Sequence, residues 1–190
     1  LRDTSTQLTQ KELEDFLHDF LVGISGLPNE LVRPDWQLYP GVFPGNKVGI
    51  PDFEVDWLAF GIKNKRSDFS PVQELKSNGS YEMQRNEYLD LFCVFYGLNS
   101  QITAENVRDN LFINQNSEVL NRNGFAFVKV DEIIDASMIF NNRFYRRADL
   151  TITIGRLLKK TYEILPFLKA EGDVIGNIGE KTITSNWEVQ

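Results

Sequence analysis

Apolar residues near the start of the chain follow the period of a helix. Between residues 8 and 24 they recur at three- and four-residue steps, which places them on one helical face. Thr9 and Glu12 have the spacing of a capping box, and Gly26 and Pro28 follow where a helix would end. The pattern predicts one amphipathic helix whose buried face consists of Leu13, Phe16, Leu17, Phe20, Leu21 and Ile24.

Four later segments have the pattern of strands. Residues 57–62 are apolar and aromatic between polar flanks, and residues 125–133 alternate in polarity. Residues 88–96 carry large apolar side chains on both faces, which is typical of a central strand covered on both sides. Residues 143–154 alternate over an unusually long run, and the pattern allows this strand to continue to Tyr162.

The segments between these strands predict a loop and two helices. Residues 63–80 contain a proline and an Asn-Gly turn signal, which indicates a loop or hairpin with a short strand near residues 72–75. Capping residues after Gly97 predict a helix that extends to Leu111, and residues 117–123 predict a second one. The order helix, strand, strand, helix, strand, strand predicts an α+β fold with a mostly antiparallel sheet flanked by helices.

Two segments have weaker patterns. Residues 31–51 are rich in proline and glycine, and we interpret them as an extended arm. Residues 171–190 are interpreted as a C-terminal tail with one strand, Thr182 to Val189, that needs another surface to pair with. We therefore expect a single domain at residues 1–170, including the arm, followed by this tail or added strand.

Composition excludes several classes of function. The net charge of −7 opposes general binding to nucleic acid or anionic lipid. No apolar run approaches the roughly 18 residues of a membrane span, and the first ten residues lack a signal-peptide pattern, so we expect a cytosolic product without membrane contact. Cys93, the single cysteine, has no disulfide partner and no zinc-site neighbours, and we interpret it as a packing residue. We expect no cofactor.

One catalytic pattern is present. Pro51-Asp52 followed by Glu74-Leu75-Lys76 matches the PD…(D/E)xK pattern of metal-dependent nucleases, in which the carboxylates hold Mg²⁺ and the lysine activates water. A whole apolar strand separates Asp52 from Glu74, and Glu74 lies in a polar stretch, so solvated loop carboxylates are the alternative interpretation. No dinucleotide-binding, P-loop or nucleophile-elbow motif occurs, and His18 lacks an evident nucleophile.

Charge is distributed unevenly along the chain. Residues 1–60 hold 4 basic and 10 acidic side chains, whereas residues 143–160 hold 6 basic and 1 acidic. One hypothesis is that opposite surfaces meet when copies or neighbours associate head to tail; the alternative is a basic strand face that keeps a sheet edge soluble. Under the first hypothesis the interface residues are Arg143, Arg146, Arg147, Arg156, Lys159 and Lys160.

Five segments together resemble a known family. They are LVRPDWQLYP at 31–40, DWLAFGI at 56–62, EYLDLFCVFYG at 87–97, AENVRDNLFINQNSEVLNRNGFAFV at 104–128 and NNRFYRRADLTITIGRLLKKTYEIL at 141–165. In this order and spacing they resemble the neck or tail terminator family of tailed bacteriophages and prophages, over roughly residues 10–170.

The resemblance implies a structural virion protein, made in the host cytoplasm, with a terminator-like fold. Such a protein forms a ring, with six subunits as the usual symmetry, at the head-proximal end of the tail. It ends tube growth and joins the tail to the head connector, so its partners are further copies, the tube protein and the neck protein. DNA would pass through an acidic lumen without specific binding. The nuclease is the alternative function, and the expected core residues are Trp57, Phe60, Phe92, Phe95, Ile152 and Ile154.

Overall fold

The computed structural model describes residues 8–34, 51–52, 54–77, 80–140, 142–163, 170–178 and 181–189. Its helices are α1 (Gln10–Ser25), α2 (Ser100–Asn110) and α3 (Asn114–Arg122), with a 3₁₀ turn at Asn29–Leu31. The strands are β1 (Val32–Pro34), β2 (Trp57–Ser67), β3 (Val72–Leu75), β4 (Ser80–Tyr96), β5 (Phe125–Val130), β6 (Ile134–Asp135), β7 (Met138–Phe140), β8 (Arg143–Tyr145), β9 (Arg147–Glu163), β10 (Ala170–Ile178) and β11 (Lys181–Val189).

Seven strands form the main sheet. Its order is β1-β2-β4-β9-β5, with β3 paired to β4 and β6 paired to β9. The β2–β4 and β5–β9 pairs are antiparallel, whereas the short β1 runs parallel to β2. The α+β prediction with a mostly antiparallel sheet is therefore confirmed.

The contacts within the chain define two compact units. The larger contains the described parts of residues 6–72 and 84–159, and thus all three helices. The smaller contains most of β3, the first residues of β4, the last residues of β9 and the pair β10–β11.

Helix α1 begins as its sequence predicts. The Thr9 hydroxyl accepts a hydrogen bond from the Glu12 backbone N–H at 3.3 Å, and the Glu12 carboxylate accepts one from the Thr9 N–H at 2.7 Å. This capping box satisfies two N–H groups that the first helical turn leaves without partners. Gly26 ends the helix with φ +72°, in the left-handed region that favours glycine.

The hydrophobic core lies between the helices and one face of the main sheet. Alternate residues of β4 and β9 project into it, as expected from the two-residue period of a strand. Of the six predicted core residues, Trp57, Phe60, Phe95, Ile152 and Ile154 are buried. The prediction for Phe92 is wrong: it is only partly buried, because it alternates with the buried Leu91 and Cys93 and its ring lies beneath the Lys63 ammonium, 5.3 Å from the centroid.

Two strand predictions need correction. The loop predicted to begin at residue 63 begins later, because β2 continues to Ser67 and stays paired with β4 as far as Glu87. The single strand predicted from residue 143 is two elements. Strand β8 folds back on β7, and β9 starts separately at Arg147 after a one-residue break, then continues to Glu163.

The C-terminal strand has a partner in its own chain. Strand β11 pairs antiparallel with β10, from Ala170 opposite Val189 to Ile178 opposite Lys181. The expectation that this strand lacks a partner is therefore wrong, because the weakly patterned residues before it also form a strand. Of the predicted arm, residues 35–50 lie outside the described residues.

Candidate interaction surfaces

Arg147 and Arg156, which belong to the predicted interface set, pair with carboxylates of the same chain. Arg156 on β9 contacts Glu87 on β4 through Nη2 and Oε2, 2.6 Å apart, and both side chains are largely buried. Arg147 donates two hydrogen bonds to Asp149, at 2.7 and 2.8 Å. This bidentate pair raises the pKa of Arg147 and satisfies much of its guanidinium group.

The Arg147 side chain also belongs to an aromatic stack. Its guanidinium carbon lies 5.9 Å from the centroid of the Tyr96 ring, which stacks on Trp57 at a centroid distance of 4.4 Å. On the β1 side, the buried Arg33 lies 5.5 Å from the centre of the Trp57 ring. Two cations therefore contact an aromatic pair, an arrangement favoured by cation–π attraction.

Three of the other four basic residues are more accessible. Arg143, Arg146 and Lys159 are exposed, and Lys160 is partly buried. Lys160 falls in the smaller compact unit, and the other three fall in the larger one. Arg147 and Arg156 are engaged in two separate ion pairs.

Arg146 lies in a groove of about 330 Å³ beside the hairpin β7–β8. The groove is lined by Leu98, Ser100, Gln101, Asp135, Ser137, Phe144, Arg146 and Arg147. The Arg146 guanidinium donates one long hydrogen bond of 3.5 Å to the Leu98 carbonyl. Hydrogen bonds from the Ser137 side chain and backbone lower the pKa of Asp135, and the Arg146 charge contributes to the shift.

The hairpin β7–β8 carries an apolar pair that sequence reasoning missed. Ile139 and Phe144 lie opposite each other in its register, and they are 76% and 58% exposed. Asn142 turns the hairpin with φ +57°, a conformation that asparagine tolerates better than most residues. The sequence signal was an apolar run, two asparagines and a further aromatic residue, which resembles a short hairpin around a tight turn.

The exposed side of helix α1 is acidic. Glu12, Asp15 and Asp19 follow one another at steps of three and four residues, so they form one stripe, and all are exposed. Glu12 is occupied by the capping box, whereas Asp19 contacts the His18 ring at 3.1 Å. Part of the excess of acidic residues among the first 60 positions therefore forms a defined surface on α1.

The residues of the nuclease pattern have other contacts. The Lys76 ammonium lies 2.8 Å from Glu74 and 3.6 Å from Glu82, and the hydrogen bond with Glu74 raises its pKa. Asp52 is exposed. Among the described residues, no group of three or more histidine, cysteine, aspartate or glutamate side chains is placed to hold a metal ion. None of the described helices is long and apolar enough to cross a membrane.

The described residues thus form an α+β fold with an exposed apolar hairpin pair and an acidic helix face. Residues 11–180 match the family model described as phage neck terminator protein, and the chain belongs to that family. The resemblance noted in its sequence is thereby confirmed. No curated protein matches the chain. The family is one of structural proteins, so membership gives a role in the phage tail and neck, a place in the virion and association with other tail or head proteins.

Proposed function

We propose that the chain forms a ring at the head-proximal end of the tail, ends growth of the tail tube and joins the tail to the head connector. The family match over residues 11–180 carries the proposal, since it includes the main sheet and all three helices. In this role the protein is not an enzyme, and its partners are further copies of itself, the tube protein and the connector protein.

Its surfaces support self-association. A ring of identical subunits needs two different patches on each chain, because a head-to-tail contact joins one patch to the other. The acidic stripe of α1 and the groove beside β7–β8 are two such patches of unlike chemistry within the larger unit.

Net charge supports the passage of DNA through such a ring. The formal charge of −7 repels phosphate, and a channel that repels DNA lets it slide without holding it. Six subunits is the symmetry we propose.

Imaging and mass measurement test the proposal directly. Purified protein is expected to give rings in negatively stained images and a six-fold subunit mass by native mass spectrometry. When mixed with tail tubes, the rings should cap one end of each tube. Uniform small particles that ignore tubes would refute the proposal. Incubation with DNA and Mg²⁺ is expected to leave the DNA intact, whereas cleavage that Glu74→Ala abolishes would support the nuclease instead.

A further inference from the structure

We propose that the groove beside hairpin β7–β8 receives the acidic face of helix α1 from a second copy of the chain. The inference rests on the proposed ring and names the surfaces that would form it. The proposed contact uses three of the residues that line the groove, Leu98, Phe144 and Arg146. Ile139 and Arg143 on the adjoining hairpin extend it. The acidic face consists of Asp15 and Asp19, with Glu12 at its beginning.

The groove combines apolar surface with a cation, as the centre of a protein interface commonly does. Phe144 and Ile139 form an exposed cross-strand pair, and Leu98 is 51% exposed at the start of α2. Arginine and aromatic residues are enriched among the interface residues that contribute most of the binding energy. Neither residue belongs to the buried core cluster of the described residues, so their exposed apolar area is available to a partner.

Arg146 is the cation best placed to bind an incoming carboxylate. Among the described residues, it donates one hydrogen bond, of 3.5 Å, to the Leu98 carbonyl, and a guanidinium has five N–H donors. The neighbouring Arg147 is committed to Asp149 by two short hydrogen bonds. Arg143 adds a second exposed positive charge on β8. Asp135 also lines the groove and contributes a negative charge, so Arg143 and Arg146 together leave one net positive charge.

The acidic face supplies the complementary charge. Asp15 and Asp19 lie four residues apart on α1 and project from the same side of the helix. The nearest lysine or arginine along this helix is Lys11 at its first turn, and the His18 ring contacts Asp19 at 3.1 Å. The carboxylates outnumber the cations on this face, so it is negative overall. A helix face with carboxylates at this spacing presents two acceptors to a groove that offers arginine donors.

A second copy is the occupant because both surfaces belong to every chain. No residue of α1 lines the groove, so the two patches are distinct and their contact is head to tail. Such contacts close into rings when the rotation between subunits permits. Complementary charge at the contact fixes the orientation of the subunits and disfavours copies that meet face to face.

Charge reversal on each side tests the pairing. The first variant carries Arg143→Glu and Arg146→Glu, and the second carries Asp15→Lys and Asp19→Lys. Glu12 is left unchanged because it caps α1. Each variant alone is expected to assemble at least about tenfold more weakly than the wild type, since it presents like charges on both patches.

Mixing the two variants is the decisive measurement. In the mixture each acidic groove meets a basic helix and each basic groove meets an acidic helix. Rings are therefore expected to reappear with equal numbers of the two variants, as resolved by native mass spectrometry. This recovery also demonstrates that both variants are folded.

Two matched controls separate the pairing from net charge and from loss of apolar area. The Arg122→Glu and Lys129→Glu double variant makes the same charge change at exposed sites outside the groove and should assemble like the wild type. Phe144→Ser should weaken assembly, whereas Phe69→Ser, at a fully exposed phenylalanine elsewhere, should not.

The outcomes distinguish this inference from the proposed function. If wild-type rings form and the Arg143→Glu, Arg146→Glu variant forms them equally well, the inference is overturned and the ring stands. If each variant is defective and the mixture stays defective, the pairing of these two surfaces is likewise overturned. If the wild type remains a monomer in the presence of tail tubes, the proposed function itself fails.

Discussion

Arg156 directs two nitrogen atoms at one carboxylate oxygen of Glu87: Nε and Nη2 lie 2.7 and 2.6 Å from Oε2. The side chains are only 8% and 12% exposed, and the guanidinium also lies 5.9 Å from the centre of the Phe125 ring. The pair connects strands β9 and β4 across 69 residues of sequence. Arg156 is therefore engaged with Glu87 of its own chain, and little of its side chain is exposed.

Removing one partner of this pair should strongly destabilise the protein. Arg156→Ala leaves Glu87 buried without its cation, and the free energy of unfolding should fall by about 3 kcal/mol. The Arg156→Met, Glu87→Leu double variant should recover most of this loss, because it removes both charges and keeps the volume. Urea unfolding of the wild type and of these two variants measures the difference.

A surface pair provides the control. Arg122 and Glu118 on α3 are 77% and 60% exposed, and Arg122→Ala should cost less than about 0.5 kcal/mol. Equal losses of unfolding free energy for Arg156→Ala and Arg122→Ala would show that the buried pair stabilises the protein no more than an exposed one.

Asp90 should make the stability of the protein depend on pH in the acid range. Burial alone would raise its pKa, but hydrogen bonds from Thr153, Arg66 and Asn64 outweigh that effect and hold the pKa below its ordinary value. The contribution to stability is present above the unfolded-state pKa of about 3.9 and is lost as pH falls through the lower folded-state pKa. Thr153→Val removes one donor, at 2.9 Å, and should cost about 1 kcal/mol at pH 7.

The measurement is urea unfolding of the wild type and of Thr153→Val from pH 7 to pH 2. The stability difference between them should shrink as pH falls below the unfolded-state pKa of about 3.9 and through the lower folded-state pKa of Asp90. A difference that stays constant through this range would show that the hydrogen bond does not favour the charged carboxylate.

Local features of the fold could be predicted because neighbouring residues determine them. Thr9 and Glu12 are three residues apart, so the capping box could be recognised without knowing anything else about the chain. The alternation through Leu150 and Ile152 likewise identified the core-facing side of β9. Such signals lie within one element and do not depend on the rest of the fold.

Features that depend on distant partners could not be predicted. Polar residues from Lys63 to Ser67 favour a loop by composition, yet pairing with β4 keeps them in a strand. The sequence alone suggests that Arg156 is a surface charge, because its partner Glu87 is 69 residues away along the chain. The groove around Arg146 was missed as a site for the same reason: the fold alone brings the start of α2 to the β7–β8 hairpin.

Cys93 should be unreactive in the folded protein. It is fully buried in β4, and burial raises the pKa of its thiol well above the usual range, so the reactive thiolate is scarce at neutral pH. Iodoacetamide should therefore label the protein only at the rate at which it unfolds, and urea should increase that rate. Rapid labelling without denaturant, followed by mass spectrometry, would contradict the packing role.

Gly97 should be far less tolerant of alanine than Gly26. It ends β4 with φ +104°, and an added Cβ would overlap the Asp56 side chain and the Val55 carbonyl. The Asp56 carboxylate accepts hydrogen bonds of 2.8 Å from both the backbone and the side chain of Asn99. A shift of Asp56 would break this connection to the start of α2. Gly97→Ala should therefore cost about 3 kcal/mol of unfolding free energy.

Gly26→Ala separates backbone strain from this close approach. Gly26 has φ +72° at the end of α1, with no atom within 4 Å of the added Cβ. Alanine there should therefore lower the unfolding free energy only by the strain of the left-handed conformation, about 1 kcal/mol. Urea unfolding of both variants gives the two costs under identical conditions. Equal losses would mean that the turn after β4 can relax around a Cβ, and that the Asp56 contacts do not fix the position of α2.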